Sequence, residues 1–522
     1  MTVTSFNFLL FAAGILLAYY LIPGRLQWVL LLAASYFFYL RAGTELLFFI
    51  LFSTATTYGA TVFISSLWAK QKAYLHTNKA ILSADEKKQY KSKVKSKARF
   101  LMILCLSLNF IVLAFCKACL INPLHDFIQG NGRLSFLTVG LPMGISFYMF
   151  QSMGYVLDVY HDKAEAERNP LKLALFVSFF PQLIQGPISR FREISTALFE
   201  PTPFDGRRVS FGLQRVLWGY FKKMVIADRI AVAVIALRAA NEPGAMFAVL
   251  TLFYAIQLYA DFTGGIDITI GLSEAMGIPL PENFIRPFFS KNIAEYWRRW
   301  HRTLGTWMKD YVFYPISISR PLRSLSKSLR KNHPVLGKKL PVYVATAATW
   351  FVTGIWHGLS PNFIVWGMMN CAVIIASEEM TPLYEKFHHR FGFKGKKWYD
   401  WFQILRMFLL MNLIRACDLF PHVGDYFRNL VSLFTVHNWH ILTDGTLMKL
   451  GLSGLDYGII AAGVGVLFTV SLIQEHGSVR EALWEKSVWL RYSLTIALLL
   501  IVILMGHYGI GYNASNFIYN QF

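Results

Sequence analysis

The chain has 522 residues, 55% of them hydrophobic, 16% aromatic and only 16% charged, with a formal net charge of +21 and a mean hydropathy of +0.41. A soluble chain carries about 25% charged residues, so a soluble globular protein is excluded. The positive charge is gathered into two short stretches. Ten Lys/Arg lie at 69–99 beside Asp85 and Glu86, and seven lie at 317–340 with no acid. That is the pattern of loops held on the cytoplasmic side of a membrane, and it argues against a nucleic-acid partner.

In chain order, apolar runs at 5–22, 27–40, 46–68 and 100–120 predict N-terminal spans, to about residue 125, around a basic cytoplasmic loop at 69–99. Counting back from that loop through three spans puts the N-terminus outside. The first run lacks a basic leader and a small-residue cleavage site, and predicts a retained helix. Cys105, Cys116, Cys119, Cys371 and Cys417 lie in apolar surroundings. The bare Cys116-x-x-Cys119 has no second pair, so neither a metal site nor a redox centre is predicted. Further spans at 136–158, 171–185, 208–235, 245–272, 342–376, 401–420, 457–473 and 490–505 bring the expected number to about ten or more. The fold class is all-α and polytopic, one transmembrane domain over 1–522. Its middle, 130–420, concentrates Gly, Pro and charge. Irregular backbone survives in a bilayer only against protein or water, so a cavity is expected there. Residues 421–522 add spans and a short tail.

Four stretches carry chemistry. In "LPMGISFYMFQSMGYVLDVY" (141–160) and "FFPQLIQGPISR" (179–190) the prolines and Gly186 predict an interrupted helix, with Asp158 and Arg190 marking membrane boundaries. In 258–289, Asp261 and Asp267 interrupt an apolar run. Paired carboxylates suit a cation or proton path, or they cap broken helix ends or pair with Arg286. In "NIAEYWRRWHRTLGTWMKDYVFYP" (292–315), Trp297, Trp300, Leu304, Trp307, Tyr311 and Tyr314 form one face of a predicted surface helix, with Glu295, Arg298, Arg299, Arg302 and Lys309 mainly off it. His301 flanks the aromatic face. In 342–367, Thr346, Thr349, Thr353, His357 and Ser360 fall on one helical stripe. An ionisable ring inside a span is costly and faces a bundle interior or a wet cavity. A histidine bonded between helices for packing is the plain alternative, and the hydroxyl stripe favours function. No H-x₄-D pair, Gly-rich phosphate loop, H-E-x-x-H or G-x-S-x-G occurs.

"LPMGISFYMFQ…YVLDVY", "FFPQLIQGPISR", "YADFTGGIDITIGL", "FIRPFFSKNIAEYWRRWH…WMKDYVFYP" and "TGIWHG" occur in an order and spacing that resembles the membrane-bound O-acyltransferases, in their bacterial AlgI/PatA/DltB-like branch. The resemblance covers roughly residues 140–370. It implies an MBOAT-type helical ring or funnel with re-entrant segments, and a central tunnel from a cytoplasmic donor to an extracytoplasmic acceptor. It places the family's essential histidine on His357 and its second histidine on His301. An F-R-A-like element falls near "IRACDLF" (414–420), and Arg415 is given no role. The tail "NFIYNQF" (516–522) resembles the acyl-carrying F-x-Y-x-x-F tail of small teichoic-acid proteins. Tyr519 is then either an acyl relay or an aromatic interface anchor.

The resemblance further implies O-acylation of an exported or cell-surface polysaccharide, most simply with acetyl, D-alanyl being the variant. The donor would be acetyl-CoA or an acyl carrier protein thioester, with no tightly bound cofactor or metal. His357 would act as general base, and His301 would orient the donor or bond the oxyanion. Thr349, Thr353, Trp356 and Asp261 would line the tunnel or fix a tautomer, and Arg298, Arg299 and Arg302 would attract the donor. Expected partners are the cytoplasmic donor or carrier protein, an extracytoplasmic acyltransferase and membrane lipids, at the bacterial cytoplasmic membrane. The rival classes are a proton-coupled transporter or flippase, using His357, Asp261 and Asp267, and a non-catalytic scaffold of polysaccharide machinery.

Overall fold

A computed structural model describes residues 2–44, 46–118 and 144–508. The tail with Tyr519, and Cys119, lie outside the described residues. The described residues form helices and connecting loops, with no strand among them. They divide into two compact units, residues 1–212 with 272–281, and residues 213–271 with 282–522.

The first unit holds α1 (Phe6–Leu21), α2 (Gln27–Leu40), α3 (Leu47–Thr77), α4 (Ala84–Ala118), α5 (Ile145–Tyr160), α6 (Pro170–Ser178), α7 (Phe180–Gln185) and α8 (Phe191–Phe199). Most of the basic stretch expected as a loop is helical, because Lys, Gln and Glu are good helix formers. Only residues 78–83 connect α3 to α4. Ser83 and Glu86 then cap α4 reciprocally, Ser83 N donating to Glu86 Oε2 at 2.8 Å and Glu86 N to Ser83 Oγ at 3.2 Å. Asp158 and Arg190, expected as separate boundary markers, instead face each other at 3.6 Å, with little solvent exposure on either side. Charges withdrawn from water are stable when paired.

The second unit begins within α9 (Gly206–Tyr220), which passes through a π-helical turn at Phe221–Ala227 into α10 (Asp228–Ala240). It continues with α11 (Ala245–Ala275), α12 (Ile293–Arg299), α13 (Arg302–Met308), α14 (Tyr314–Ser317), α15 (Arg320–Leu329), α16 (Pro334–His357), α17 (Pro361–Glu379), α18 (Thr381–Phe391), α19 (Lys397–Arg415), α20 (Val423–Thr435), α21 (Gly454–Ile473), α22 (Val479–Trp484) and α23 (Val488–Met505). Buried ion pairs tie α9, the π turn and α10 to α11. Asp267 accepts from Arg215 Nε at 2.8 Å and Lys222 Nζ at 2.5 Å. Lys223 bridges Asp261 and Asp228. Arg286 pairs with neither α11 aspartate but with Glu475, at 3.2 Å.

Among the described residues, five helices are long and apolar enough to cross a membrane: α3, α4, α11, α21 and α23. The pair α17–α18, bent by 51°, makes a sixth if taken as one span. The protein is a multi-pass membrane protein. Several of the other expected runs are irregular among the described residues, and part of the run at 136–158 lies outside them. The run at 171–185 is broken at Phe179, 208–235 contains the π turn, and 342–376 is interrupted after His357. Composition sees the apolar residues but not the breaks. The spans also differ in setting, with two thirds of the apolar window of α11 buried against 6% of that of α23, so α11 is a core helix and α23 a lipid-facing one.

Candidate active site

The sequence at 354–361 ends one helix and starts another. His357 is the last residue of α16, Gly358 follows with extended backbone, and Ser360-Pro361 opens α17. Proline suits a first helical turn because the N–H it lacks would have no partner there. Two glycines let α16 and α17 touch backbone to backbone. A Cβ on Gly354 would lie 2.7 Å from the Phe363 carbonyl oxygen, and one on Gly367 would lie 2.4 Å from that of Trp350. Small residues at such crossings are a membrane-helix device. His357 is 6% exposed, with its ring edge-on to Trp366 at 4.8 Å and to Trp356 at 4.9 Å.

The expected threonine stripe is present only in part. Ser360 belongs to the start of α17, beyond the break. The hydroxyls of Thr346, Thr349 and Thr353 donate to the carbonyls of Val342, Ala345 and Thr349. Their protons are committed to their own helix, so only hydroxyl lone pairs remain for fixing a neighbouring ring.

The stretch 292–315 is not one helix. It breaks between α12 and α13 at His301, whose φ of +44° is left-handed. That conformation costs a non-glycine residue roughly 1–2 kcal/mol. A remote segment compensates, since Ile285 N donates to Arg299 O at 3.0 Å and Arg302 N to Asn283 O at 2.9 Å. Helical periodicity contains no trace of these cross-chain bonds, which is why the break is invisible in the pattern. The aromatic face survives as a wall. Trp297 packs edge-on to Trp350 at 4.7 Å and to Trp366 at 5.9 Å, and Trp300 stacks on Tyr296 at 5.7 Å.

His301 is 3% exposed. Its ring meets Phe262 edge-on at 4.9 Å and Trp356 at 6.0 Å. Trp356 therefore touches both histidines. Nδ1 of His301 lies 3.1 Å from Asn283 Oδ1, which also accepts from Thr303 N at 3.2 Å and Thr303 Oγ1 at 2.9 Å. The break lies outside the five spans, and burial, with the Arg415 charge adding to it, pushes His301 down to about 3. The ring is neutral at physiological pH. With the Nδ1 proton directed at Asn283, its Nε2 carries a lone pair. It is suited to accept a hydrogen bond there, which fits the expected role of orienting the donor more readily than that of bonding an oxyanion.

Arg415, left without a role by the sequence, packs its guanidinium 5.2 Å from the Trp300 ring and 5.0 Å from the Trp366 ring, and bonds Asp418 at 3.1 Å. It is a cation held between the aromatic neighbours of both histidines. Arg298 is exposed and Arg302 half-buried, while Arg299 is paired with Glu295 at 2.6 Å. Asp261 is held in the Lys223 ion pair. A cavity of about 690 Å³ adjoins the cluster. Its wall includes Tyr259 and Phe284, whose rings touch Trp300, together with Arg215, Lys222, Asp267 and Arg286.

Residues 46–329 and 333–419 match the MBOAT, membrane-bound O-acyltransferase family. The chain belongs to this family. Both histidines, Asn283 and Arg415 fall inside the matched residues. MBOAT relatives include a protein of Pseudomonas syringae pv. tomato named as a probable alginate O-acetylase AlgI, 38% identical over 44% of this chain and 41% of its own length. A peptidoglycan O-acetyltransferase of Helicobacter pylori is 32% identical over 56% of this chain and 57% of its own. A teichoic acid D-alanyltransferase of Bacillus subtilis is 29% identical over 44% and 58%. The chain thus spans about half the length of these MBOAT relatives.

Proposed function

We propose that this protein is a membrane O-acyltransferase that passes a small acyl group, acetyl first among them, from a cytoplasmic thioester to a hydroxyl destined for an exported or cell-surface polysaccharide. The observation that carries the reading is the pair of buried histidines on either side of Trp356, each at a helix break, within the residues that match the membrane-bound O-acyltransferase family. A packing histidine needs no second imidazole, no neighbouring cation and no adjoining cavity.

In this mechanism His357 takes the proton of the attacking hydroxyl as its oxygen adds to the thioester carbonyl. It stands at a helix C-terminus, the end that accommodates a transient imidazolium. The carbonyl π electrons pass to oxygen. That oxyanion is met by the Trp366 indole N–H, a buried donor with no protein partner among the described residues, and by the Arg415 guanidinium beside it. Collapse expels the thiolate, which takes the proton from His357. His301 accepts a hydrogen bond at Nε2 and orients a substrate group. The donor is acetyl-CoA or an acyl carrier protein thioester, drawn to the face bearing Arg298 and Arg302, and the cavity beside Phe284 provides access. The setting is the bacterial cytoplasmic membrane, with an extracytoplasmic acyltransferase as the next partner. Tyr519 would relay the acyl group as an aryl ester.

Everted membrane vesicles supplied with isotopically labelled acetyl-CoA, or with the acetylated carrier protein, test the reading. Labelled ester should form with wild type and vanish with His357→Ala at equal protein level. Proton-driven flux of solute with no ester formed would favour the transporter. Mass spectrometry of the C-terminal peptide, collected rapidly and mildly acidic, tests the relay. A mass shift on Tyr519 should be present in wild type and absent in His357→Ala.

A further inference from the structure

Of the groups near the two histidines, Asn283 combines complete burial with the densest set of bonds across the break. It lies at 0% exposure on a non-helical segment of the second unit. Its backbone oxygen receives Arg302 N at 2.9 Å, and its side-chain oxygen receives Thr303 N, Thr303 Oγ1 and His301 Nδ1 at 3.2, 2.9 and 3.1 Å. The orientation of the amide follows from these partners. A backbone N–H can only donate, so the atom facing Thr303 N must be oxygen and not the NH₂ group. An oxygen that accepts from Thr303 N also faces the imidazole as an acceptor, so the imidazole nitrogen facing it carries the proton.

We infer that Asn283 is a positioning residue for the acyl-transfer site, holding His301 as the neutral Nδ1–H tautomer so that Nε2 receives a hydrogen bond from the substrate. Its functional part rests on the acyltransferase reading, and the tautomer does not. The same amide fixes the ring and the strained turn that carries it. His301 owes its left-handed backbone to the Asn283–Ile285 segment and its proton placement to the Asn283 side chain. The two histidines are therefore held by different means. One ring is locked as an acceptor by Asn283, while the other is aimed by the break in its own segment. The low proton affinity of the buried His301 ring agrees with this assignment.

The charged and titratable groups facing His301 from its surroundings are Arg415 with Asp418, and His357 beyond Trp356. Asp261 with Lys223 sits next to Phe262. On the flanking segments lie Glu282 with Arg215, Arg286 with Glu475, and Glu295 with Arg299. Each carboxylate has a cationic partner, so a new charge at position 283 would dominate the ring's titration.

Two measurements on the full chain in lipid nanodiscs test the inference. ¹⁵N spectra of histidine-labelled protein, with His301 assigned by loss of its signals in His301→Gln, should show a protonated Nδ1 and an unprotonated Nε2 at neutral pH. Asn283→Leu should abolish or mix that tautomer, and should lower acyl transfer by about 10²-fold, as misplacement of an orienting group does. Asn283→Asp is nearly isosteric and keeps every acceptor, so it guards against a variant that fails to fold. Its carboxylate should raise the pH at which the His301 ring takes up a proton by about one unit or more, read from the ring's own ¹⁵N shifts. A purely structural asparagine would change yield and leave tautomer and titration in place. The inference is overturned by an Nε2–H tautomer in wild type, or by an unchanged His301 titration in Asn283→Asp. If no acyl transfer occurs in any sample, the enzyme reading falls and the spectrum alone decides the tautomer.

Discussion

His357 and His301 both stand where a helix is interrupted, but the two interruptions are built differently. At His357 the break is local. Gly358, Ser360 and Pro361 end α16 and start α17 within four residues, and Gly354 and Gly367 bring the two backbones together. At His301 the break is imposed from a distance. A non-glycine residue takes φ of +44°, and backbone groups on either side bond Asn283 and Ile285. The difference teaches that a buried imidazole can be aimed by punctuation in its own segment or by hydrogen bonds from another, and the second leaves no local signature.

The largest expected effect tests whether the two breaks serve one reaction. His357→Ala should reduce acyl transfer by about 10²–10⁴-fold while the protein still inserts, read as ester formed per unit of protein in membranes. Next comes the local break. Gly354→Val or Gly367→Val places a Cβ against a carbonyl oxygen, and should cost about 1–3 kcal/mol by overpacking, seen as a lower unfolding temperature in detergent. Asn370→Ala, on the same α17 and bonded within it to Trp366 O, should move that temperature less.

The remote break has a signature in acid. The unfolded chain binds a proton at His301 near its ordinary value of 6.5, whereas the folded ring does so only at about 3. The unfolded state therefore holds more protons between those limits, and the stability from this group is complete above about 6.5 and is lost as pH falls toward 3. Thermal unfolding followed from neutral pH downward should show that loss, and His301→Gln should flatten it. The smallest effect belongs to Thr303→Val, which removes one hydroxyl from Asn283 and should cost about 1 kcal/mol, leaving the His301 bond in place.

Much of this was legible in the amino-acid pattern. Apolar runs revealed the membrane, and the motifs around "WRRWH" and "TGIWHG" marked the two histidines that the fold brings to either side of Trp356. The breaks were half legible. Gly-x-x-Pro after His357 announces itself, but nothing in 292–315 foretells a left-handed His301, because its cause lies at residues 283–285. Asn283 is one polar residue in a run otherwise notable for proline and arginine. Arg415 had no role in the sequence reading, and only packing sets its guanidinium between Trp300 and Trp366. For Asp261 and Asp267 the one partner the sequence suggested was Arg286, which pairs elsewhere, because their actual lysine and arginine partners lie 38 to 52 residues away.

The most direct test is made in cells. Exported polysaccharide should be isolated from a producing strain carrying wild type, His357→Ala or no copy of this gene, after growth on isotope-labelled acetate, and its alkali-labile acyl esters weighed by mass spectrometry. Labelled ester should be abundant with wild type and fall to the level of the empty strain with His357→Ala, at equal amounts of protein in the membrane. Wild-type ester levels in the His357→Ala strain would contradict the account, because the ring proposed to take the hydroxyl proton would then be dispensable.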